Sequence, residues 1–284
     1  MRRRSLSRRL PALIAVDLDG TLLREDLSVS SRTREALAAA RRAGAEVVIV
    51  TARSPRTVRE IARDAGIAGL AICANGATLY DLDRGVIVDH TPLANEVGHA
   101  VAQALRAEVP DVVFGWELEL QFGSEPAYEA LRTPRWWPRP EGSFPPCDVL
   151  AWELPFTKLL GRVETDTLSS AFAVAVRVAG SRASVTLTGD AFVEVMAPGV
   201  SKRSALERLA DGLGLTAESV VAFGDQLTDV GMLEWAGHGV AMANASPEAL
   251  AVADEVAPSN DDDGVAVALE RFLNEDGRPE PTGR

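Results

Sequence analysis

The sequence predicts an α/β fold in which a doubly wound parallel sheet is interrupted by an inserted α+β domain. The first 75 residues alternate apolar runs with helix signals, and the runs are apolar throughout. Strands of that kind are typical of a parallel sheet that helices cover on both faces. The alternation stops near Asn75-Gly76 and resumes after Val200, so we expect the sheet domain to be split in sequence.

The first half of the chain contains three apolar runs, PALIAVD, AEVVIV and LAICA, and each is predicted to be a buried strand. Two helices separate these runs. The first helix has a serine N-cap, Ser30 or Ser31, and ends at Gly44. The second opens at Ser54-Pro55, with proline at the first helical position, and ends at Gly66.

The middle of the chain has a different composition. The runs TLYD and GVIVDH predict a hairpin, and helices over residues 93–108 and 166–178 mix with partly alternating strands such as LELQF. After Val200 the strands SVVAFGD and HGVAMA again lie between helices. We therefore expect a core over 11–85 and 192–275, an insertion over 86–191, and tails over 1–10 and 276–284.

The composition limits the classes of partner. The net charge of −12 argues against nucleic acid and anionic membranes, because both are polyanions. No segment approaches the ~18 apolar residues of a membrane span. Cys73 and Cys147 form no CxxC pair, which favours a reducing cytoplasm. The basic N-terminus lacks the apolar stretch of a signal peptide. The sequence carries no signal for the oligomeric state.

Three of the predicted strands end in a polar residue: Asp17 after LIAV, Thr51 after VVIV and Asp225 after VVAFG. Ligands of open parallel sheets bind at the carboxyl ends of the strands, so these side chains should converge. Asp17 and Asp19 would repel each other unless a cation lay between them or one were protonated. Three acids at one sheet edge suit a hard divalent cation, and Mg²⁺ is the default.

The neighbouring residues predict an anion site. Gly20-Thr21 allows a turn that points backbone N–H groups into a pocket, and Thr51 offers a hydroxyl. The helix that opens at Ser54-Pro55 places its N-terminus beside them. Lys202, where the chain returns to the sheet domain, supplies a fixed positive charge. Together these groups suit an anionic ligand such as a phosphate group.

These residues resemble the four sequence motifs of the haloacid dehalogenase-like hydrolase superfamily. VDLDGT is similar to the first motif, VVIVTAR to the second, GVSKRSAL to the third and VVAFGDQLTD to the fourth. The insertion between motifs two and three, and the NGA at residues 75–77, resemble the Cof-type branch with its class IIB cap. The resemblance covers most of residues 11–273 and implies a Rossmann-like core with an inserted cap domain, although the cap itself matches weakly.

The resemblance also implies a phosphatase chemistry. Asp17 would attack phosphorus and form an aspartyl-phosphate, and Asp19 would act as general acid and then as general base. Mg²⁺ would be held by Asp17, the backbone carbonyl of Asp19, and Asp225. Asp229 would support the metal shell or its waters.

Further contacts to the phosphate follow from the same resemblance. Thr51, the amide of Ala52 and Lys202 would hold its non-bridging oxygens. One position departs from the family pattern, which usually has asparagine where this chain has Thr228. Because threonine offers one hydroxyl donor in place of an NH₂ group, we expect weaker phosphate binding without loss of activity. The metal site is unaffected by this departure.

Four other residues are candidates for contact with the substrate. Arg53 follows Thr51 and can reach the cleft, and Asn75 lies in the NGA turn. Trp136 and Trp137, in a loop rich in proline, would be able to stack on a sugar ring or a heterocycle.

The motifs leave three functions open. The first is a Mg²⁺-dependent phosphatase for a small phosphorylated metabolite, such as a sugar phosphate. The second is a phosphotransferase or mutase that uses the same phosphoenzyme, and the acceptor, water or a second substrate, distinguishes the two. The third is a non-catalytic phospho-aspartate regulatory domain, which is typically a single unit less than half this length.

Overall fold

The computed structural model describes residues 10–131, 143–189 and 191–276. The predicted tails, apart from Leu10 and Asp276 at their inner ends, and the candidates Trp136 and Trp137 lie outside these residues. None of the helices within them is long and apolar enough to cross a lipid bilayer.

The larger sheet has eight strands in the order β13-β12-β11-β1-β2-β3-β4-β5. In chain order these are β1 (Leu13–Val16), β2 (Glu46–Val50), β3 (Leu70–Cys73), β4 (Thr78–Asp81), β5 (Val86–His90), β11 (Val220–Gly224), β12 (His238–Met242) and β13 (Glu255–Ala257). The six strands from β13 to β3 are parallel, and β4 and β5 form an antiparallel hairpin at one edge.

Helices cover both faces of this sheet. They are α1 (Ser31–Arg42), α2 (Pro55–Ala65), α6 (Lys202–Gly212), α7 (Val230–Trp235), α8 (Pro247–Val252) and α9 (Gly264–Asp276). Ile14 and Val16 of β1 pack in the core under α1, α2 and α9, whereas Leu13 and Ala15 pack in the core under α6, α7 and α8. Because both faces are buried, the central strands β1, β3 and β11 are apolar throughout, and the doubly wound α/β fold is confirmed.

The smaller sheet has five antiparallel strands in the order β7-β6-β8-β10-β9. They are β6 (Val113–Leu118), β7 (Gln121–Ser124), β8 (Lys158–Arg162), β9 (Ser184–Thr188) and β10 (Phe192–Met196). The helices α3 (Asn95–Glu108) and α5 (Leu168–Ala179) pack on one face of this sheet, and the short α4 (Pro126–Ala130) follows β7. The predicted α+β insertion is therefore present.

Two strands next to the predicted boundaries at residues 86 and 192 do not lie in the sheet that those boundaries imply. β5 belongs to the larger sheet, because the tight turn after β4 returns the chain antiparallel beside it. β10 belongs to the smaller sheet, where it pairs with both β8 and β9. The sheet that each of these two strands joins therefore differs from what the predicted boundaries imply, because local signals locate a strand but do not say which sheet it joins.

Candidate active site

Asp17, Thr51 and Asp225 directly follow β1, β2 and β11, which are neighbours in the larger sheet. The strands are parallel, and Val16 is in register with both Ile49 and Phe223. The three polar residues therefore lie at the same edge of the sheet, as the sequence predicts.

Three buried carboxylates meet at this edge. One oxygen each of Asp17, Asp225 and Asp229 lies within 4.8 Å of the others. Lys202, the first residue of α6, donates from Nζ to Asp17 Oδ1 at 2.8 Å and to Asp229 Oδ1 at 2.6 Å. The lysine side chain is only 2 % exposed. A single ammonium group therefore faces three carboxylates in a buried site.

The remaining hydrogen bonds orient the carboxylates. Asp225 accepts from the Thr21 hydroxyl at 2.9 Å and from Gln226 Nε2 at 2.8 Å. Asp229 Oδ2 accepts from the backbone amides of Asp225 and Gln226. With its bond to Lys202, Asp229 already uses three of roughly four acceptor positions, whereas Asp17 uses one. Asp17 and Asp225 therefore have more free oxygen capacity for a ligand than Asp229.

Gly20 lets the loop after β1 approach Asp225. Its φ of +76° is in the left-handed region, and a Cβ at this position would lie 2.3 Å from an Asp225 carboxylate oxygen. Any other residue would push this oxygen out of place.

The charge balance of the cluster shifts its pKa values. Burial raises the pKa of Asp17 well above its ordinary value, although the charge of Lys202 acts in the opposite direction. Burial and the negative charge of Asp229 raise the pKa of Asp225. Burial would lower the pKa of Lys202, but the charges of Asp17 and Asp229 outweigh it and raise that pKa. With all four groups charged, two negative charges remain uncompensated, so the donor set fits a hard divalent cation.

Asp19 is separate from this cluster. Its side chain is 50 % exposed and accepts two hydrogen bonds from Arg53, from Nε at 2.7 Å and from Nη2 at 2.5 Å. Arg53, predicted as a candidate substrate contact, therefore holds the predicted general acid. The contribution of the Asp19 backbone carbonyl to a metal site stays a prediction.

The loop after β2 presents unused donors. The hydroxyl oxygen of Thr51 accepts a hydrogen bond from the Arg53 amide at 3.1 Å, which leaves the hydroxyl proton free to be donated elsewhere. The Ala52 amide donates to no acceptor among the described residues. Thr51 and Ala52 both line the cavity described next.

Asp17 and Asp225 line a cavity of about 820 Å³ between the two sheets, whereas Asp229 is fully buried and does not line it. Thr228 and Arg53 line it beside the carboxylates. The smaller sheet and α4 supply an apolar part of the wall, formed by Phe122, Tyr128, Leu160 and Phe192. A volume of this size is typical of a small-molecule site.

Asn75 has a different partner from the predicted one. Its Nδ2 donates to Glu194 Oε2 of β10 at 2.7 Å, and Asn75 does not line the cavity. The NGA turn therefore connects the edge of the larger sheet to the smaller sheet.

Sequence reasoning missed a second buried lysine. Lys158 of β8 is 4 % exposed, and its Nζ donates to Glu194 Oε1 and to the Ala52 carbonyl, both at 2.9 Å. Both Lys158 and Glu194 line the cavity. One signal was available: of the 29 lysines and arginines in the chain, only Lys158 and Lys202 are lysines.

A family model of haloacid dehalogenase-like hydrolases matches residues 14–129 and 146–269 of the chain. The chain belongs to this hydrolase family. Two similar proteins come from Bacillus subtilis (strain 168). The 5-amino-6-(5-phospho-D-ribitylamino)uracil phosphatase YcsE is 29% identical over 92% of this chain and 95% of its own length. The phosphatase YwpJ is 31% identical over 92% of this chain and 99% of its own length.

Among solved structures, the haloacid dehalogenase subclass IIB sugar phosphatase BT4131 has the same fold. Its TM-score is 0.77 at 22% identity, over 92% of this chain and 98% of that chain. The predicted resemblance to the haloacid dehalogenase-like hydrolases is thereby confirmed, and the fold agrees with that of a subclass IIB member. With these phosphatase relatives, this hydrolase is an enzyme of the phosphoric monoester hydrolase class.

Proposed function

We propose that this hydrolase is a Mg²⁺-dependent phosphatase that cleaves a small phosphorylated metabolite through an aspartyl-phosphate on Asp17. One observation carries the proposal: Asp17, Asp225 and the fully buried Asp229 meet around Lys202, and Asp17, Asp225 and Lys202 line a cavity that also contains the unused donors of Thr51 and Ala52. The larger sheet is the proposed catalytic core, and the smaller sheet with its helices is the proposed cap.

Asp17 and Asp225 would hold the metal ion, together with the Asp19 backbone carbonyl, and Asp229 would orient the groups around it. Bound there, Mg²⁺ supplies positive charge that lowers the repulsion between an anionic nucleophile and an anionic phosphate. The excess of negative charge around Lys202 supports this assignment.

Asp17 is the proposed nucleophile because Lys202 binds one of its oxygens and leaves the other available. That oxygen forms a bond to phosphorus as the bond from phosphorus to the alcohol oxygen breaks. Asp19 gives the departing oxygen its proton and later takes one from the water that hydrolyses the aspartyl-phosphate. For this role the Asp19 carboxyl must give up its hydrogen bonds from Arg53 and contact the leaving-group oxygen in their place.

Three donors would hold the non-bridging oxygens of the phosphate: the Thr51 hydroxyl, the Ala52 amide and the Lys202 ammonium. Donors fixed before the reaction stabilise the charge that develops in the transition state without reorganising. Thr228, in the same wall, supplies a hydroxyl where the family usually has an asparagine amide.

A sugar phosphate or a similar phosphomonoester is the proposed substrate class, in line with the small phosphorylated compound named for YcsE. The free thiols of Cys73 and Cys147 are compatible with a reducing cytoplasm, which is the proposed location.

A panel of phosphorylated metabolites, assayed with Mg²⁺ for release of inorganic phosphate, tests the proposal. We expect turnover of at least one phosphomonoester by the wild type and none by Asp17→Asn, which cannot form the aspartyl-phosphate. Omission of Mg²⁺ with a chelator should also abolish turnover. Activity that survives Asp17→Asn would rule out this nucleophile, and transfer of the phosphate to a second substrate in place of water would favour a phosphotransferase.

A further inference from the structure

The two lysines of the chain occupy the same kind of place. All the other residues in the combined lysine and arginine count are arginines. Both lysine side chains are more than nine-tenths buried, and both line the cavity between the two sheets. An arginine presents a broad planar fork, whereas a lysine presents a compact charge with three donors. At these two positions the surroundings therefore favour a point-like ammonium group.

Lys158 connects the smaller sheet to the larger one. It begins β8, where it lies opposite Glu117 of β6, and its ammonium group donates to Glu194 of the neighbouring β10. The same ammonium group donates to the carbonyl of Ala52, a residue of the loop after β2. Glu194 in turn accepts from Asn75 of the larger sheet. Lys158 and Glu194 thus form a buried polar bridge between the sheets.

The carbonyl of Ala52 is a special case within its loop. The carbonyls on either side of it, those of Thr51 and Arg53, accept from the backbone amides of Asn75 and Ala74. Only the middle carbonyl has its donor from the inserted sheet. The peptide unit between Ala52 and Arg53 is then fixed at both ends, because the Arg53 amide donates to the Thr51 hydroxyl oxygen.

We propose that Lys158 is a positioning residue of the inserted sheet that fixes the Ala52 peptide and so aims the Ala52 amide and the Thr51 hydroxyl at the phosphate. The proposal rests on the proposed function, since it takes these two groups as phosphate donors. Glu194 holds the ammonium group in place, and Asn75 holds Glu194. A buried carbonyl that lost this donor would gain free energy by turning toward another one, and the loop would turn with it.

The double variant Lys158→Met/Glu194→Gln tests the proposal, compared with Glu194→Gln alone. The single change Lys158→Met would leave Glu194 buried without a cation, which is strongly destabilising, whereas in Glu194→Gln the ammonium still lies opposite Glu117. The double variant replaces the ion pair by neutral groups of similar shape. Inorganic phosphate is titrated into each protein by calorimetry with Mg²⁺ present. We expect the double variant to bind phosphate about tenfold more weakly than Glu194→Gln.

Kinetics give the second readout. A substrate found in the panel should show a KM raised by about the same factor in the double variant, with kcat changed by less than about threefold, because donors that act in both ground and transition states mainly affect KM. Lys158→Arg should not restore phosphate affinity, since its fork does not match the ammonium geometry. The exposed ion pair between Glu108 and Arg177 in the same inserted region supplies the control Glu108→Gln/Arg177→Met, with unchanged phosphate affinity.

A merely structural bridge predicts something else: a lower melting temperature with unchanged phosphate affinity and KM. That result would overturn the proposal, as would a wild type that binds no phosphate. A wild type that binds phosphate but hydrolyses no phosphomonoester would remove the proposed function, while the loss of affinity in the double variant would still support the positioning role.

Discussion

Lys202 and Lys158 face the same cavity from the two sheets, and their surroundings have different charge balances. Lys202 is outnumbered by Asp17, Asp225 and Asp229. Lys158 lies in a balanced group, because Glu194 and Glu117 are matched by Lys158 itself and by Arg56, which donates to Glu117. A deficit of positive charge makes the first site suited to receive a cation, whereas the charges of the second site balance one another.

The pKa shifts follow the same division. Burial raises the pKa of Asp17, and the charge of Lys202, which acts in the opposite direction, does not offset burial together with the charges of Asp229 and Asp225. Burial would lower the pKa of Lys158, but the charges of Glu194 and Glu117 outweigh it and raise that pKa. A buried group whose charge is fully paired stays charged. A buried group whose charge is not fully paired needs a ligand to balance it.

Replacing Lys202 should have the largest effect. Lys202→Met removes the only ammonium from the carboxylate cluster and one proposed donor to the phosphate, so we expect kcat/KM to fall by about 10³-fold or more. The neighbouring Arg203 makes an exposed ion pair with Glu207 on the same helix, and Arg203→Met is the matched control with near wild-type kinetics. Steady-state assays on the best substrate of the panel make the comparison. Equal losses in the two variants would mean that Lys202 has no special role.

Asp19→Asn should have the next largest effect, and that effect should depend on the leaving group. A single general acid contributes about 10²–10⁴-fold, so kcat for an alkyl phosphate should fall within that range. Nitrophenolate is a good leaving group that departs without a proton from Asp19, so nitrophenyl phosphate should still phosphorylate Asp17. Hydrolysis of the phosphoenzyme should be slow, because it needs Asp19 as general base. Rapid mixing should then show one equivalent of nitrophenolate followed by slow turnover. Absence of this burst, or an equal loss in the rate of phosphorylation by both substrates, would contradict the assigned role.

The sequence predicts the Lys202 site much better than the Lys158 site, for a physical reason. Carboxyl ends of parallel strands converge, so Asp17, Thr51 and Asp225 can be brought together from strand assignments alone. The contact of Lys158 with Ala52 joins residues 106 positions apart across two sheets. In an alternating strand nothing local indicates which face a lysine occupies, or that a second sheet covers it.

Other contacts in the site could not be predicted from the sequence, for the same reason. The bidentate pairing of Asp19 with Arg53 and the pairing of Asn75 with Glu194 depend on side-chain directions that the motifs leave open. The crossings near residues 86 and 192 depend on which sheet offers a free edge. The scarcity of lysine was a usable global signal, because a chain that relies on arginine keeps lysine where a compact charge is needed.

Thr228→Asn should have a smaller effect, in the direction of tighter binding. Thr228 lines the cavity on the Asp225 side, and an asparagine there would add an NH₂ donor for the phosphate. One neutral hydrogen bond contributes about 0.5–1.5 kcal/mol, which corresponds to a KM lowered by about 2–12-fold with little change in kcat. Thr228→Val, which removes the hydroxyl at constant shape, should raise KM. Identical KM values for Thr228→Asn and the wild type would refute the predicted phosphate contact.

The ion pair between Glu255 and Arg271 extends the comparison to a carboxylate that is paired with arginine. Replacing Glu255 should leave the enzyme activity unchanged. Glu255 of β13 binds Arg271 of α9 and lies 2.8 Å from His238 Nε2, and none of the three lines the cavity. Burial would raise its pKa, but the hydrogen bonds and charges of His238 and Arg271 lower that pKa to about 2, from an ordinary 4.5. Because the folded-state pKa lies below the ordinary value, the stabilisation is complete above pH 4.5 and disappears as the pH falls toward 2.

Glu255→Gln should therefore lower the free energy of unfolding at pH 7 by about 1–3 kcal/mol and flatten its decline between pH 4.5 and 2. Urea unfolding of both proteins at several pH values provides the measurement. Glu270→Gln, which breaks the more exposed pair between Glu270 of α9 and Arg32 of α1, should cost less. A variant that declines with pH as steeply as the wild type would show that Arg271 does not keep this partly buried carboxylate charged, and the contrast with the lysine-centred cluster would be lost.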